Sequence, residues 1–228
     1  FDRHLARLTL GCERLGMAAP DGALLRAEVE SLSATRPRAL AKIILTRGVA
    51  RARGYRPAGG ERPTRIVSAY DWPAAPAAEY RLGRSSVTLG CNPRLAGIKH
   101  LNRLEQVLAQ RDAARAGCDE VVMCTEAGAA VCGSMSNLFV CLSGEWLTPP
   151  VTQCGVAGVM RALVMAVAPR AGLSVRVATV TEAQLTTSTS MFVTNVRLGM
   201  QPVHWYEGRS LVLDERGARV QELIDGTP

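Results

Sequence analysis

The sequence predicts an α+β chain of two α/β domains, a small one over residues 1–90 and a larger one over residues 91–228. Three observations lead there. Stretches of helical period alternate with β-branched apolar runs. Tight polar turns such as Ser143-Gly144 join adjacent runs as antiparallel neighbours would be joined. The character of the chain also changes around residues 83–95, at Cys91-Asn92-Pro93.

Leu5, Leu8, Cys12 and Leu15 repeat at helical spacing, with Gly16 as a stop. A second helix is expected after Asp21 as N-cap, with Leu24, Leu25, Val29 and Leu32 turned inward. Ala41–Thr46 reads as a buried strand, in which Lys42 takes an edge or partly exposed position. Residues 47–63 hold four glycines and two prolines and read as a loop. Strands are expected at Arg65–Ala69 and, beyond a Pro/Ala-rich stretch, at Ser86–Leu89.

The second half opens with a long helix over Leu101–Ala116, with Leu101, Leu104, Val107 and Leu108 on its inward face. Strands follow at Glu120–Cys124 and Leu138–Cys141, and the Ser143-Gly144 turn leads into Trp146-Leu147. A glycine turn, Gly155–Gly158, opens a helix over Val159–Val167. Strand Ser174–Ala178, a short helix near Thr181–Leu185, strand Met191–Asn195 and a helix over Asp214–Ile224 complete the pattern.

Composition removes several function classes. Apolar residues make up 47% of the chain, enough for a core, which excludes intrinsic disorder. No apolar run reaches the roughly 18–20 residues of a membrane span. Aromatic residues are 4%, too few for a base-stacking nucleic-acid platform. The net charge of +7 comes almost wholly from arginine, since Lys42 and Lys99 are the two lysines. These arginines are scattered without a cluster, so the charge fits a phosphate or polycarboxylate substrate as well as a nucleic acid. Seven cysteines without a CxxC pair match neither a zinc site nor a disulfide framework, and reduced thiols in the cytoplasm are expected. The chain opens at Phe1 inside a helical pattern, from which further upstream sequence is expected.

Three places carry candidate chemistry. Lys99 sits between an apolar approach and a helix start, where desolvation and the positive helix end would lower its pKa and fit it for Schiff-base formation. A lysine snorkelling from a helix end gives the same spacing. The run Gln153-Cys-Gly-Val-Ala-Gly-Val-Met-Arg161 fits an anion cup at a helix N-terminus, and equally a plain glycine turn. Arg7 and Asn195 complete the set, Arg7 by itself being a solvated helix arginine.

Read together, these segments stop being independent. GIKHLNRLEQVLAQRDAARAGCDEVVM (97–123) resembles the aminodeoxychorismate lyase branch of the fold-type IV pyridoxal-phosphate enzymes. HLARL (4–8), KIILTRG (42–48), RGYRP (53–57), SNLF (136–139), CGVAGVMR (154–161) and TNVRLGMQPV (194–203) continue the resemblance in order. The resemblance implies pyridoxal 5'-phosphate as cofactor, held by Lys99 as a Schiff base. It implies that Arg7 pairs with the cofactor phosphate, that the amides of Val159 and Met160 cup it, and that Asn195 lies opposite. It places Arg53 and Tyr55 near the substrate entrance. It also implies a homodimer with the active site between two domains, a small-molecule substrate, and no metal.

The reaction so implied converts 4-amino-4-deoxychorismate to 4-aminobenzoate and pyruvate, on the route to folate. Two departures from the family pattern stand out. Cys132 occupies the place of a glutamate that keeps the pyridine nitrogen protonated. The family's first strands are also absent from the sequence, so the N-terminal domain is expected to be incomplete unless the chain is part of a longer one. A branched-chain or D-amino-acid aminotransferase of the same fold, and a paralogue that binds without turnover, are the alternatives.

Overall fold

The computed structural model describes residues 1–50 and 53–226. The described chain divides into two compact units, Phe1–Ala74 and Ala75–Pro228. The division falls ahead of the 90/91 boundary expected from sequence, because strand β3 (Arg81–Arg84) pairs in parallel with β4 (Glu120–Cys124). Residues 75–90 therefore belong to the second unit.

The first unit holds helices α1 (Asp2–Arg14) and α2 (Gly22–Ser33) and an antiparallel pair, β1 (Ala39–Thr46) and β2 (Thr64–Asp71). The Asp21 carboxylate caps α2 as expected, accepting from the N–H groups of Ala23 and Leu24 at 2.8 and 3.1 Å. Leu25 is fully buried, whereas Leu24 and Leu32 are exposed, so the inward stripe is narrower than their spacing suggests. β1 and β2 pair from Ala39↔Asp71 to Thr46↔Thr64, and Arg65 on β2 grips Glu28 on α2 through Nε and Nη2. Lys42 is exposed on β1. The expected loop follows β1; its residues 51 and 52 lie outside the described ones.

The second unit is built on a mixed sheet. Its strands after β3 and β4 are β5 (Ala129–Gly133), β6 (Asn137–Leu142), β7 (Glu145–Thr148), β8 (Val175–Val177), β9 (Val180–Thr181), β10 (Ser190–Asn195), β11 (Gly199–Pro202), β12 (Trp205–Tyr206) and β13 (Arg209–Ser210). The main path runs β11-β10-β6-β5-β4-β3-β12-β13, with β7 and β8 continuing from β6 and β9 lying on β5. Because cores cover both faces of the sheet, the central strands read as unbroken apolar runs. On β6, Leu138 and Val140 enter one core with Met191 and Val193 of β10. Phe139 enters the opposite core, stacked on Phe192 with ring centroids 4.4 Å apart. That face is covered by α4 (Val159–Val167) and α6 (Arg216–Asp225). The short helix α5 (Glu182–Thr187) opens with a capping box between Thr181 and Gln184.

Two expectations for this unit are corrected. Residues 86–89 do not form a strand. Ser85 and Ser86 are instead bound to the Asp112 carboxylate, and Leu89 makes an isolated bridge to Thr125. The long helix α3 spans Leu104–Ala116, and its inward residues are Ala109 and Ala113, packed against Val121 and Met123. Small alanines let the helix approach the sheet closely. The predicted inward face, Leu101, Leu104, Val107 and Leu108, is exposed. No helix among the described residues is long and apolar enough to cross a membrane.

Candidate active site

The two motifs singled out in the second unit are physically joined. The Asn92 N–H donates to the Gln153 carbonyl at 2.8 Å, and the Gly97 N–H to the Gly155 carbonyl at 3.0 Å. The Ala157 N–H returns a bond to the Gly97 carbonyl at 3.0 Å, completing a short parallel bridge. The segment that carries Lys99 is thereby laced to the glycine turn that opens α4.

Lys99 follows this bridge in a loop, not at the helix start expected, because α3 begins five residues later at Leu104. Its neighbour Ile98 is buried, whereas the lysine itself is exposed. Arg103 fixes the backbone on both sides of Lys99. Its Nη2 donates to the Ile98 carbonyl and its Nε to the His100 carbonyl, each at 3.0 Å. Burial, followed by the Arg103 charge, lowers the pKa of His100.

The glycine turn is constrained from below. Asn137 Nδ2 donates to the Val156 carbonyl at 2.9 Å, and its Oδ1 lies 2.0 Å from where a Cβ on Gly158 would stand. Gly155 has φ +82°, a left-handed conformation, and a Cβ there would lie 2.8 Å from Val131 Cγ1. Gly158 caps α4 without a side-chain acceptor. The N–H groups of Val159 and Met160, first in the helix, have no carbonyl of their own helix to bond. The cradle that two side-chain-free positions leave, and the helix dipole behind it, fit an anionic group such as a cofactor phosphate. Arg161 is committed elsewhere: it donates to Thr148 Oγ1 and the Pro149 carbonyl, each at 3.1 Å.

Cys132 lies on β5, paired with Met123 on one side and Asn137 on the other. Burial, followed by the nearby Glu120 charge, pushes its thiol up to about 12, so it is neutral. Asn195, at the end of β10, accepts from the N–H groups of Arg197 and Leu198 at 2.9 Å. Its Nδ2 donates to the Met135 carbonyl at 3.3 Å, tying its turn to the one between β5 and β6.

Sequence reasoning missed Glu120. This carboxylate is buried and accepts from the N–H groups of Ser134 and Met135 at 3.0 and 3.1 Å and from Ser136 Oγ at 3.1 Å. Ser134 Oγ and Gln110 Nε2 add further donors. It therefore shapes the turn that joins Cys132 to Asn137. An acidic residue heading the apolar run Glu120–Cys124 was the available signal.

The structure thus brings Lys99, Cys132, Val159, Met160 and Asn195 into the second unit. Arg7, half-buried on α1, and Arg53 and Tyr55, both exposed in the loop after β1, belong to the first. All seven cysteines are free thiols.

Comparisons with known proteins bear on this site. The model of the family described as amino-transferase class IV matches residues 1–206. An aminodeoxychorismate lyase of Vibrio harveyi is 36% identical over 166 residues, covering 71% of this chain and 61% of the relative. The matched stretch is thus about three fifths of that relative's length. A solved 4-amino-4-deoxychorismate lyase of Pseudomonas aeruginosa is 37% identical with a TM-score of 0.89, over 98% of this chain and 83% of that one. A pyridoxal-phosphate-bound hypothetical aminotransferase of Mycobacterium tuberculosis shares the fold, at 21% identity and a TM-score of 0.81 over 98% and 82% of the two chains. The α+β fold is that of the fold-type IV pyridoxal-phosphate enzymes, and the chain belongs to the class IV aminotransferase family.

Proposed function

We propose that this chain is a pyridoxal-phosphate-dependent lyase that converts 4-amino-4-deoxychorismate to 4-aminobenzoate and pyruvate, a step of folate synthesis. The observation that carries the reading is the hydrogen-bonded bridge between the Lys99 segment and the glycine turn before α4. It keeps an exposed primary amine and an anion cup on neighbouring segments. The 36% and 37% identities to lyases support the choice of reaction.

In this reading the amides of Val159 and Met160 hold the cofactor phosphate, and Arg7 adds a counter-charge. Asn195, which holds its turn against Met135, borders the same phosphate. Lys99 would hold the cofactor through its Nζ. When bound, pyridoxal phosphate supplies an electron sink for the carbon bearing the substrate amine. Lys99 Nζ would then be the base that takes the proton from that carbon. Loss of pyruvate from the adjacent carbon leaves an aromatic ring, which makes the step strongly downhill. Arg53 and Tyr55, in the loop after β1, would lie near the substrate entrance.

Cys132 favours elimination over transamination. A neutral thiol cannot hold a proton on the pyridine nitrogen as a carboxylate does, so it weakens the electron sink. Transamination depends on that sink throughout, whereas aromatisation drives elimination. The same residue supports a second reading, a paralogue that binds the cofactor without turnover. We further propose a cytoplasmic homodimer. Incubation with aminodeoxychorismate and pyridoxal phosphate tests the reading. Release of 4-aminobenzoate supports the lyase, while cofactor binding without product supports the second reading.

A further inference from the structure

The Sγ atoms of Cys91 and Cys154 lie 3.9 Å apart, across a separation of 63 residues. Cys91 begins the segment that leads to Lys99, and Cys154 immediately precedes Gly155 of the glycine turn. The Asn92–Gln153 and Gly97–Gly155 backbone bonds hold these two segments side by side, so the sulfur contact rests on a built bridge. Cys91 is exposed and open to a reagent, whereas Cys154 is buried.

We propose that Cys91 and Cys154 form a reversible disulfide that staples the Lys99 segment to the glycine turn. The sulfurs lie 3.9 Å apart, close to van der Waals contact, and disulfide formation brings them to about 2.0 Å. The oxidant is a small-molecule disulfide, such as oxidised glutathione. The Cys91 thiolate attacks one of its sulfurs and expels one glutathione thiolate. The Cys154 thiol then gives its proton to solvent, its sulfur attacks Cys91 Sγ, and the second glutathione leaves as thiol. Two protein thiols are oxidised to one disulfide while one glutathione disulfide is reduced to two thiols. The burial that raises the Cys154 pKa makes the second step the slower one. The exposed Cys91 end leaves the bond open to reductants, which suits a switch better than a permanent staple.

The test uses the whole chain, without cofactor or substrate, so its outcome is separate from that of the proposed reaction. Reduced protein is incubated with oxidised glutathione, alkylated and digested. The expected product is a peptide pair joining Cys91 to Cys154, an intact mass lower by two hydrogens, and reversal by dithiothreitol. Cys91→Ser and Cys154→Ser each abolish the cross-link, whereas Cys118→Ser keeps it. Amide exchange at Gly97 and Ala157 slows in the oxidised protein, since these N–H groups span the stapled segments. A glutathione adduct that stays on Cys91, a Cys154–Cys132 cross-link, or full alkylation of all the thiols would overturn the proposal.

Discussion

Asn137 Oδ1 occupies the space in which Gly158 would carry a Cβ, 2.0 Å from that point, while Asn137 Nδ2 holds the Val156 carbonyl. One side chain thus fixes both the course of the glycine turn and the identity of the residue that caps α4. Gly158→Ala must displace Asn137 and break its bond to Val156. The expected cost is about 1–3 kcal/mol in urea unfolding, with a matching loss of pyridoxal-phosphate affinity. In Asn137→Ala the clash is gone, so the double variant should be clearly less destabilised than the two single losses added together. Strict additivity would contradict this coupling.

Glu120 is the buried anchor of the turn between Cys132 and Asn137. Glu120→Gln turns one acceptor into an N–H₂ group that faces donors, so buried N–H and hydroxyl groups lose partners. Destabilisation of about 2–4 kcal/mol is expected, measured as a lower urea midpoint at an unchanged m-value. A midpoint equal to the wild type's would show that the turn holds itself.

Asp214 accepts from Arg216 and from Trp146 Nε1, and the Arg216 hydrogen bonds in particular lower its pKa to about 2. A carboxyl depressed in the folded state stabilises fully above its unfolded pKa, near 4, and that contribution is lost as pH falls toward 2. The stability gap between wild type and Asp214→Asn should therefore be open at pH 6 and narrow steadily between about pH 4 and pH 2. Urea titrations of both proteins across that range measure it, and a gap independent of pH would contradict the assignment.

Cys132→Glu places a carboxyl where the thiol is buried, within the field of Arg103. The proposed function expects it to strengthen the electron sink. Conversion of bound pyridoxal phosphate to its amine form by an amino acid, followed by absorbance, should then accelerate at least about tenfold. No acceleration would remove Cys132 as the reason for preferring elimination.

Much of the architecture was legible because it rests on local rules. The Asp21 cap, the helix at Val159 after Gly158, and the apolar runs of β4 and β6 each follow from a few adjacent residues. The failures are tertiary. The leucines of α3 sit at helical spacing, yet the sheet took the alanine stripe because only small residues let the backbones approach. Ser86–Leu89 has strand composition, but Asp112, far along the chain, captures Ser86 through its N–H and its hydroxyl. The site residues were named from motifs, while what fixes them, Glu120, Asn137 and Arg103, acts through contacts that no spacing reveals. The short strands β11 to β13 carry too few residues to show a period.

The central claim is that Lys99 carries the cofactor beside the glycine turn. Its most direct test is borohydride reduction of the protein incubated with pyridoxal phosphate, with peptide mass spectrometry to locate the label. Label on Lys99 alone, weakened in Gly158→Ala and absent from Lys99→Ala, is the result expected. Label on Lys42 or the N-terminal amine, with Lys99 unmodified, would contradict the account.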